Sequence, residues 1–309
     1  MTATRVVLVG DGAVAGAAQS ILTAAAAIEL TVVGAPGHAP ADADVIVCAV
    51  PAGADVEWIV RAIDAGTPVV SVGDDSTAHR RTFAAVGEAA SARGVRAILG
   101  AGVAPGLSDV LVRHASVLFD TVHEVRVARA GVAGPACIDT LRASMRDDVV
   151  EWRDHAWRPV RRRGHELVWF PDPIGARECE ASDMGAALLQ RELPDANIRV
   201  RTAEPPGAFA RLRRDPLERD EWAATRVEVW GTRAGHRDTV VYGAIAPCAP
   251  AAGTVLAVTA LAAAGRGPGL LADTVGVGGL ARFADPVPFL AELERRGVTA
   301  AAFEGVAAQ

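Results

Sequence analysis

A glycine-containing turn near the N-terminus carries the first chemical signal. Gly10 and Gly12 follow a β-branched run at residues 5–9, and a small-residue helical stretch at 17–27 comes next. In such a strand, turn and helix, the first glycine allows a tight turn and the second lets the backbone approach a diphosphate, whose charge the helix N-terminus favours. The pattern Gly10-x-Gly12-x-x-Ala15 therefore predicts a dinucleotide site. A glycine-rich turn that has lost its ligand is the alternative.

The residue that would distinguish NAD from NADP is missing from this pattern. An acidic residue at the end of the second strand normally holds the ribose diol, whereas an arginine nearby accommodates a 2′-phosphate. Here the predicted strand at 30–33 runs into Gly34-Ala-Pro-Gly-His38, which contains neither. The segment before the next strand is also too short for the usual second helix. The sequence therefore predicts NADP or NAD without a preference.

Two further segments place chemically useful residues after predicted strands. Asp74 and Asp75 follow the strand at 68–72, where a carboxylate can hold a substrate amine, relay a proton or cap the next helix. The turn at 102–106 follows the next strand along the chain and leads into Ser108. Open α/β sheets bind ligands at this edge, so the turn is a candidate site. A turn that joins two domains would explain it equally well.

A later helix offers arginines for binding a carboxylate. The glycine-rich segment at 130–137 leads into a predicted helix that carries Thr140, Arg142 and Arg146. Arginine suits bidentate carboxylate binding, which an amino-acid substrate would need. An exposed helix position fits each of these arginines equally well.

Composition excludes several kinds of chemistry. All 31 basic residues among the 309 are arginines, so Schiff-base catalysis, a lysine-containing phosphate loop and a Tyr-x-x-x-Lys dyad are impossible. A net charge of −6 argues against a nucleic-acid partner, and no apolar run is long enough to span a membrane. The four cysteines and seven histidines show no metal-ligand spacing. We therefore expect a cytoplasmic chain with no metal site.

The elements that must position these residues follow two patterns. Strands alternate with helices up to residue 99, which predicts a Rossmann-like, doubly wound parallel sheet of the α/β class. Beyond residue 119, alternating segments such as 122–130 predict an α+β domain built on an antiparallel sheet. We therefore predict a dinucleotide-binding domain over residues 1–118 and 250–309, and a second domain over 119–249.

Four segments in this order resemble motifs of the saccharopine dehydrogenase family, especially its reductase-like members. They lie at residues 10–15, 44–51, 68–72 and 102–110, the last with a G-x-x-P-G core. The C-terminal helical stretch at 289–298 is also similar to that family's closing helix. The resemblance implies contacts with NAD(P) at these positions: Gly10, Gly12, Ala13, Val14, Ala49, Val50, Pro51, Gly102, Pro105 and Gly106.

The resemblance also implies an activity. It indicates an NAD(P)-dependent oxidoreductase that reduces an imine, or oxidises an amine, on an amino-acid-like substrate. Asp75, Ser108 and Arg142 are the catalytic candidates, and the domain over 119–249 would bind the substrate and form a homodimer. Because lysine is absent, the imine must form between two substrates. Two other hypotheses stay open, namely a Rossmann-like protein that binds a metabolite or partner, and a redox-neutral enzyme that keeps its nicotinamide bound.

Overall fold

The chain forms two separate β-sheets. The computed structural model describes residues 3–34, 42–51, 53–132, 134–146, 149–160, 165–203 and 222–303, with residues 136 and 142–146 described in their backbone only. Among the helices in these ranges, none combines the length and apolar character needed to cross a membrane.

The first sheet is parallel throughout. Its strands, numbered along the chain, are β1 (Thr4–Val9), β2 (Ile28–Val33), β3 (Val45–Cys48), β4 (Val69–Ser71), β5 (Arg96–Ile98) and β14 (Gly276–Gly278). They lie in the order β14-β5-β4-β3-β1-β2, and each neighbouring pair runs parallel. All of β3 and most of β1 are buried, as expected for strands covered by helices on both faces. The predicted Rossmann-like sheet is confirmed.

Helices pack on this sheet and between it and the second sheet. They are α1 (Ala13–Ala24), α2 (Val56–Ala65), α3 (Ser76–Ala92), α4 (Leu107–Ser116), α7 (Cys248–Ala263), α8 (Leu280–Phe283) and α9 (Pro286–Arg295). The long helix α7 is almost wholly buried and packs closely on α1. A Cβ atom at Gly253 would lie 2.5 Å from Cβ of Ala17, so glycine permits this approach. Helix α7 and strand β14 thus return the late part of the chain to the first sheet.

The second sheet is mixed rather than purely antiparallel. Its strands are β6 (Thr121–Ala130), β7 (Val150–Arg153), β8 (Ala156–Pro159), β9 (Glu166–Trp169), β10 (Ala176–Ser182), β11 (Asn197–Ala203), β12 (Trp222–Arg233), β13 (His236–Pro247) and β15 (Ala300–Ala302). The main path is β15-β13-β12-β6-β11-β10-β9, and β7 pairs with β11 and β8. Strands β6 and β11 run parallel. A parallel pair needs a long connection, and the one between these strands includes α5 (Pro135–Arg146) and α6 (Ala186–Glu192).

The segment between β2 and β3 is short. Its described residues, 34 and 42–44, hold no helix, and the predicted loop residue His38 lies outside the described part of the chain.

The two domains are joined along the carboxyl edge of the parallel sheet. The amide of Gly185, which precedes α6, donates to the carbonyl oxygen of Asp74 over 2.9 Å. The hydroxyl of Ser76 donates to the carbonyl of Asp183 and accepts from the amide of Ala187 over 3.1 Å. These bonds hold the second domain near the end of β4, and a cleft lies between the two domains.

Candidate functional site

The turn between β1 and α1 leaves a helix N-terminus open. Gly10 has a φ of +121°, and a Cβ atom there would lie 2.6 Å from the carbonyl oxygen of Ala49, so this position requires glycine. Gly12 is the N-cap of α1, and a Cβ atom there would meet nothing within 4 Å. In the described chain, no side chain caps α1 and no acidic residue lies in its first turn. This N-terminus therefore fits a diphosphate.

The open helix end faces a cleft with a cavity volume of about 180 Å³. Eight of the ten positions predicted to contact a cofactor line it: Gly12, Ala13, Val14, Ala49, Val50, Pro51, Gly102 and Pro105. The other two, Gly10 and Gly106, shape the turns beside it. The structure therefore brings the predicted segments together at one place, although their contacts with a cofactor stay a prediction.

The turn after β5 forms one wall of this cleft and is tightly built. Gly106 has a φ of +122°, and a Cβ atom there would overlap the carbonyl oxygen of Gly102. The amides of Leu107 and Ser108 donate to the carbonyl oxygens of Gly102 and Val103, each over 2.9 Å. The first amides of α4 are thus used within the turn. They are therefore not available to bind a ligand in the cleft.

Ser108 lies behind the cleft wall, contrary to its predicted catalytic role. Its side chain is buried, and its hydroxyl donates to Oδ1 of Asp109 over 3.0 Å. Burial raises the pKa of Asp109 to about 7, against the opposing effect of the bonds from Ser108 and Gly106. Oδ2 of Asp109 has no hydrogen-bond partner among the described residues. This pair packs behind Pro105, away from the cleft lining.

An ion pair between the two domains is the charged feature of the cleft. Nη1 of Arg129, on β6, lies 2.9 Å from Oδ2 of Asp74, which follows β4, and the two side chains are 10% and 16% exposed. Burial alone would lower the pKa of Arg129, but attraction to Asp74 and the hydrogen bond to its carboxylate oppose this effect, and the pKa is raised. Arg129 is therefore a permanent cation at the wall of the cleft.

A buried hydrogen-bond network fixes the backbone beside Asp74. The amide of Gly73 donates to Oγ of Ser71 over 3.1 Å, and the hydroxyl of Ser71 donates to Oδ2 of Asp55. Nε2 of His79 lies 2.9 Å from the carbonyl oxygen of Gly73. Burial lowers the pKa of His79, so a neutral ring donates this bond. The network positions the turn that carries Asp74.

The other catalytic candidates lie elsewhere. The carboxylate of Asp75 accepts a hydrogen bond from the amide of Ala78 over 2.5 Å and caps α3, so the structure favours the capping alternative for this residue. Arg142 lies on α5, but its side chain is outside the described part of the structure. Thr140, on the same helix, lines the cleft.

The sequence motifs did not indicate Arg129 as a functional residue, although its position in β6 suggests a buried charge. Side chains of a strand alternate between its two faces, so Arg129 shares a face with Val125 and Val127, both buried. A charged residue in register with core valines needs a partner. Asp74 was considered beside Asp75, and only the structure shows which of them provides that partner.

The cleft contains groups suited to binding a ligand and transferring a proton. The described part of the chain contains no candidate metal centre. No group of three histidine, cysteine, aspartate or glutamate side chains there could hold a metal ion. Asp74 can accept a proton or hold an amine, and Arg129 can bind an anion.

Comparison with known proteins rests on structure alone. No family model matches the chain, and no curated protein sequence gives a significant match. The structure is similar to apo saccharopine dehydrogenase (L-Glu forming) from Saccharomyces cerevisiae, with a TM-score of 0.66 and 12% identity over 97% of this chain and 100% of that one. The resemblance predicted from the motifs is thus confirmed at the level of the fold.

Two further similar structures carry ligands. DAP dehydrogenase from C. glutamicum, in complex with DAP, has a TM-score of 0.55 and 16% identity over 92% of this chain and 95% of that one. An engineered D-amino acid dehydrogenase bound to NADP+ has a TM-score of 0.54 and 15% identity, with the same two coverages. The chain therefore has the two-domain fold of these amino-acid dehydrogenases.

Proposed function

We propose that the protein is an NAD(P)-dependent oxidoreductase that acts on a carbon–nitrogen bond of an amino-acid-like substrate. One observation carries this proposal: the open N-terminus of α1 and the Asp74–Arg129 ion pair line the same cleft between the two domains. The fold shared with amino-acid dehydrogenases supports the proposal.

The turn at Gly12 and the first amides of α1 would hold the diphosphate of NAD(P). Backbone amides suit this role because the chain has no lysine. The segment from Ala49 to Pro51 and the turn at Gly102 and Pro105 would flank the nicotinamide half. When bound, NAD(P) supplies the hydride chemistry, and the protein supplies orientation and charge.

The ion pair would bind the two charged groups of the substrate. Arg129 would hold a carboxylate, since its guanidinium is matched to that group. Asp74 would hold the amine and accept a proton as the carbon–nitrogen bond changes oxidation state. We propose Asp74 in place of Asp75, because the carboxylate of Asp75 is used in capping α3. A homodimer and a cytoplasmic location, both expected from the sequence, remain predictions.

Titration of NADH and NADPH, followed by nicotinamide fluorescence, tests the proposal. We expect wild-type protein to bind at least one of them, and Gly12→Glu to lose binding while keeping its fold. A Cβ atom at Gly12 has open space, but a carboxylate there would repel the diphosphate. Gly87→Glu on α3 is the matched control, because that position is equally open and far along another helix.

Three results would count against the proposal. They are no binding of either nucleotide at millimolar concentration, equal binding by Gly12→Glu, and loss of binding in the Gly87→Glu control alone. A nucleotide that co-purifies and is never consumed would instead favour a redox-neutral enzyme.

A further inference from the structure

The part of the cleft lining that the structure describes is apolar around a single charged pair. Among its described lining residues, Asp74 and Arg129 are the only ones with charged side chains. The lining otherwise consists of glycine, alanine, valine and proline residues with one threonine and two cysteines. A second charge on a ligand would lose its hydration there without gaining a partner from these residues.

The thiol of Cys248 does not add a charge to the cleft. Burial raises the pKa of Cys248 to about 12, and the neighbouring Cys137 adds to this effect while Arg129 opposes it. Cys248 is therefore a neutral thiol near pH 7 and behaves as a small apolar group. The residues around the Asp74–Arg129 pair thus favour neutral, apolar groups of a ligand.

The ion pair is arranged to receive a zwitterion. Apart from Asp74, the described partners of Arg129 are Sδ of Met184 and Sγ of Cys137, each 3.8 Å away. Sulfur is a weak acceptor, so a carboxylate would replace these contacts with stronger, charge-assisted bonds. An ammonium group on the same ligand would then face Asp74, and the site would stay neutral overall. One carboxylate and one ammonium group therefore pair with both charges of the site.

The cavity is also small. Its volume of about 180 Å³ lies below the ~300–1,000 Å³ common for pockets that bind drug-sized ligands. The nicotinamide half of the cofactor would occupy part of the same cleft, so the substrate would share this space with it.

We infer that the substrate is an α-amino acid with one carboxylate and an uncharged, apolar side chain, or the corresponding 2-oxo acid with ammonia. This inference rests on the proposed function and narrows it. In the oxidative direction, the amino acid, NAD(P)+ and water give the 2-oxo acid, ammonium, NAD(P)H and a proton. The α-carbon loses a hydride to NAD(P)+, and water then displaces the nitrogen as ammonium. Dicarboxylic and dibasic amino acids are poor substrates because their additional charge finds no oppositely charged partner among the described residues of the lining.

Matched pairs of amino acids test the inference. After nucleotide titration has established cofactor binding, kcat/KM is measured for 2-aminobutyrate against aspartate and for norvaline against glutamate, each as both enantiomers. Within each pair, the side chains have similar length and differ by a carboxylate. We expect the apolar member to be favoured by about 100-fold or more, as the cost of burying an unpaired charge suggests. The amine 1-aminopropane, which lacks the α-carboxylate of 2-aminobutyrate, should be turned over far more slowly.

The outcomes separate the two proposals. If the cofactor binds but aspartate or glutamate is used as well as its apolar partner, the substrate class is overturned and the oxidoreductase proposal stands. Cofactor binding without turnover of any of these amino acids also overturns the substrate class. Equal turnover of 1-aminopropane and 2-aminobutyrate would overturn carboxylate binding at Arg129. Absence of nucleotide binding would overturn the oxidoreductase proposal itself.

Discussion

Replacement of Arg129 by methionine should show how strongly the ion pair between the domains is buried. Methionine keeps the length of the side chain but removes its charge, and Asp74 is then left without its cation. With the two side chains 10% and 16% exposed, the pair belongs with buried ion pairs, where loss of one partner costs about 3–5 kcal/mol. The cleft leaves some access to water, so we expect the lower end of this range, about 3 kcal/mol.

Urea unfolding at neutral pH, in a double-mutant cycle, provides the assay. Asp74→Asn combined with Arg129→Met removes both charges, so the double variant should be less destabilised than the sum of the single variants. Arg93→Met is the matched control, because Arg93 pairs with Asp64 over 2.8 Å with both side chains largely exposed. There we expect a loss of about 0–1 kcal/mol.

The same variant separates binding of cofactor from binding of substrate. Arg129→Met should keep its affinity for nucleotide, because the proposed diphosphate site at Gly12 is formed by backbone, and should raise KM for the amino acid. Additive effects of the Asp74 and Arg129 substitutions on stability, or a cost no larger than that of Arg93→Met, would refute the argument from burial.

Three other predictions concern the turns around the cleft. The raised pKa of Asp109 means that its carboxyl group in the folded protein keeps a proton that the unfolded chain releases, so the free energy of unfolding falls as pH rises from about 4 to about 7. Asp109→Asn removes this titration and should reduce the change in unfolding free energy between about pH 5 and about pH 8, measured with urea, by about 3 kcal/mol. Gly106→Ala should lower the midpoint of thermal unfolding far more than Gly12→Ala, because a Cβ atom overlaps backbone at the first position and meets open space at the second. Asp75→Ala should cost about 1 kcal/mol in unfolding free energy through loss of the α3 cap, with little change in kcat.

Local sequence patterns were sufficient to predict much of the domain that contains the parallel sheet. The β-branched run of β1, the positive φ of Gly10 and the open N-cap at Gly12 depend on residues close by in the chain, so they are visible in the sequence. The same holds for the turn between Gly102 and Gly106, since the backbone geometry at Gly106 demands glycine. These features predicted both the sheet and the place where the cleft forms.

The ion pair and the mixed second sheet depend on contacts between distant parts of the chain. Arg129 and Asp74 are 55 positions apart, and only the docking of the second domain brings them together. The direction of β11 beside β6 depends on the long connection between them, which alternation of residues does not specify. Ser108 was named as a catalytic candidate from its position after a site-forming turn. A polar residue at such a position can instead form a hydrogen bond inside the protein, here to Asp109.

A crystal structure with NADP+ or NAD+ bound tests the central claim most directly. We expect the diphosphate on the amides that follow Gly12 and the nicotinamide in the cleft beside the Asp74–Arg129 pair. A nucleotide bound with its nicotinamide away from that pair, or crystals that take up neither nucleotide although the cleft is open to solvent, would contradict the account.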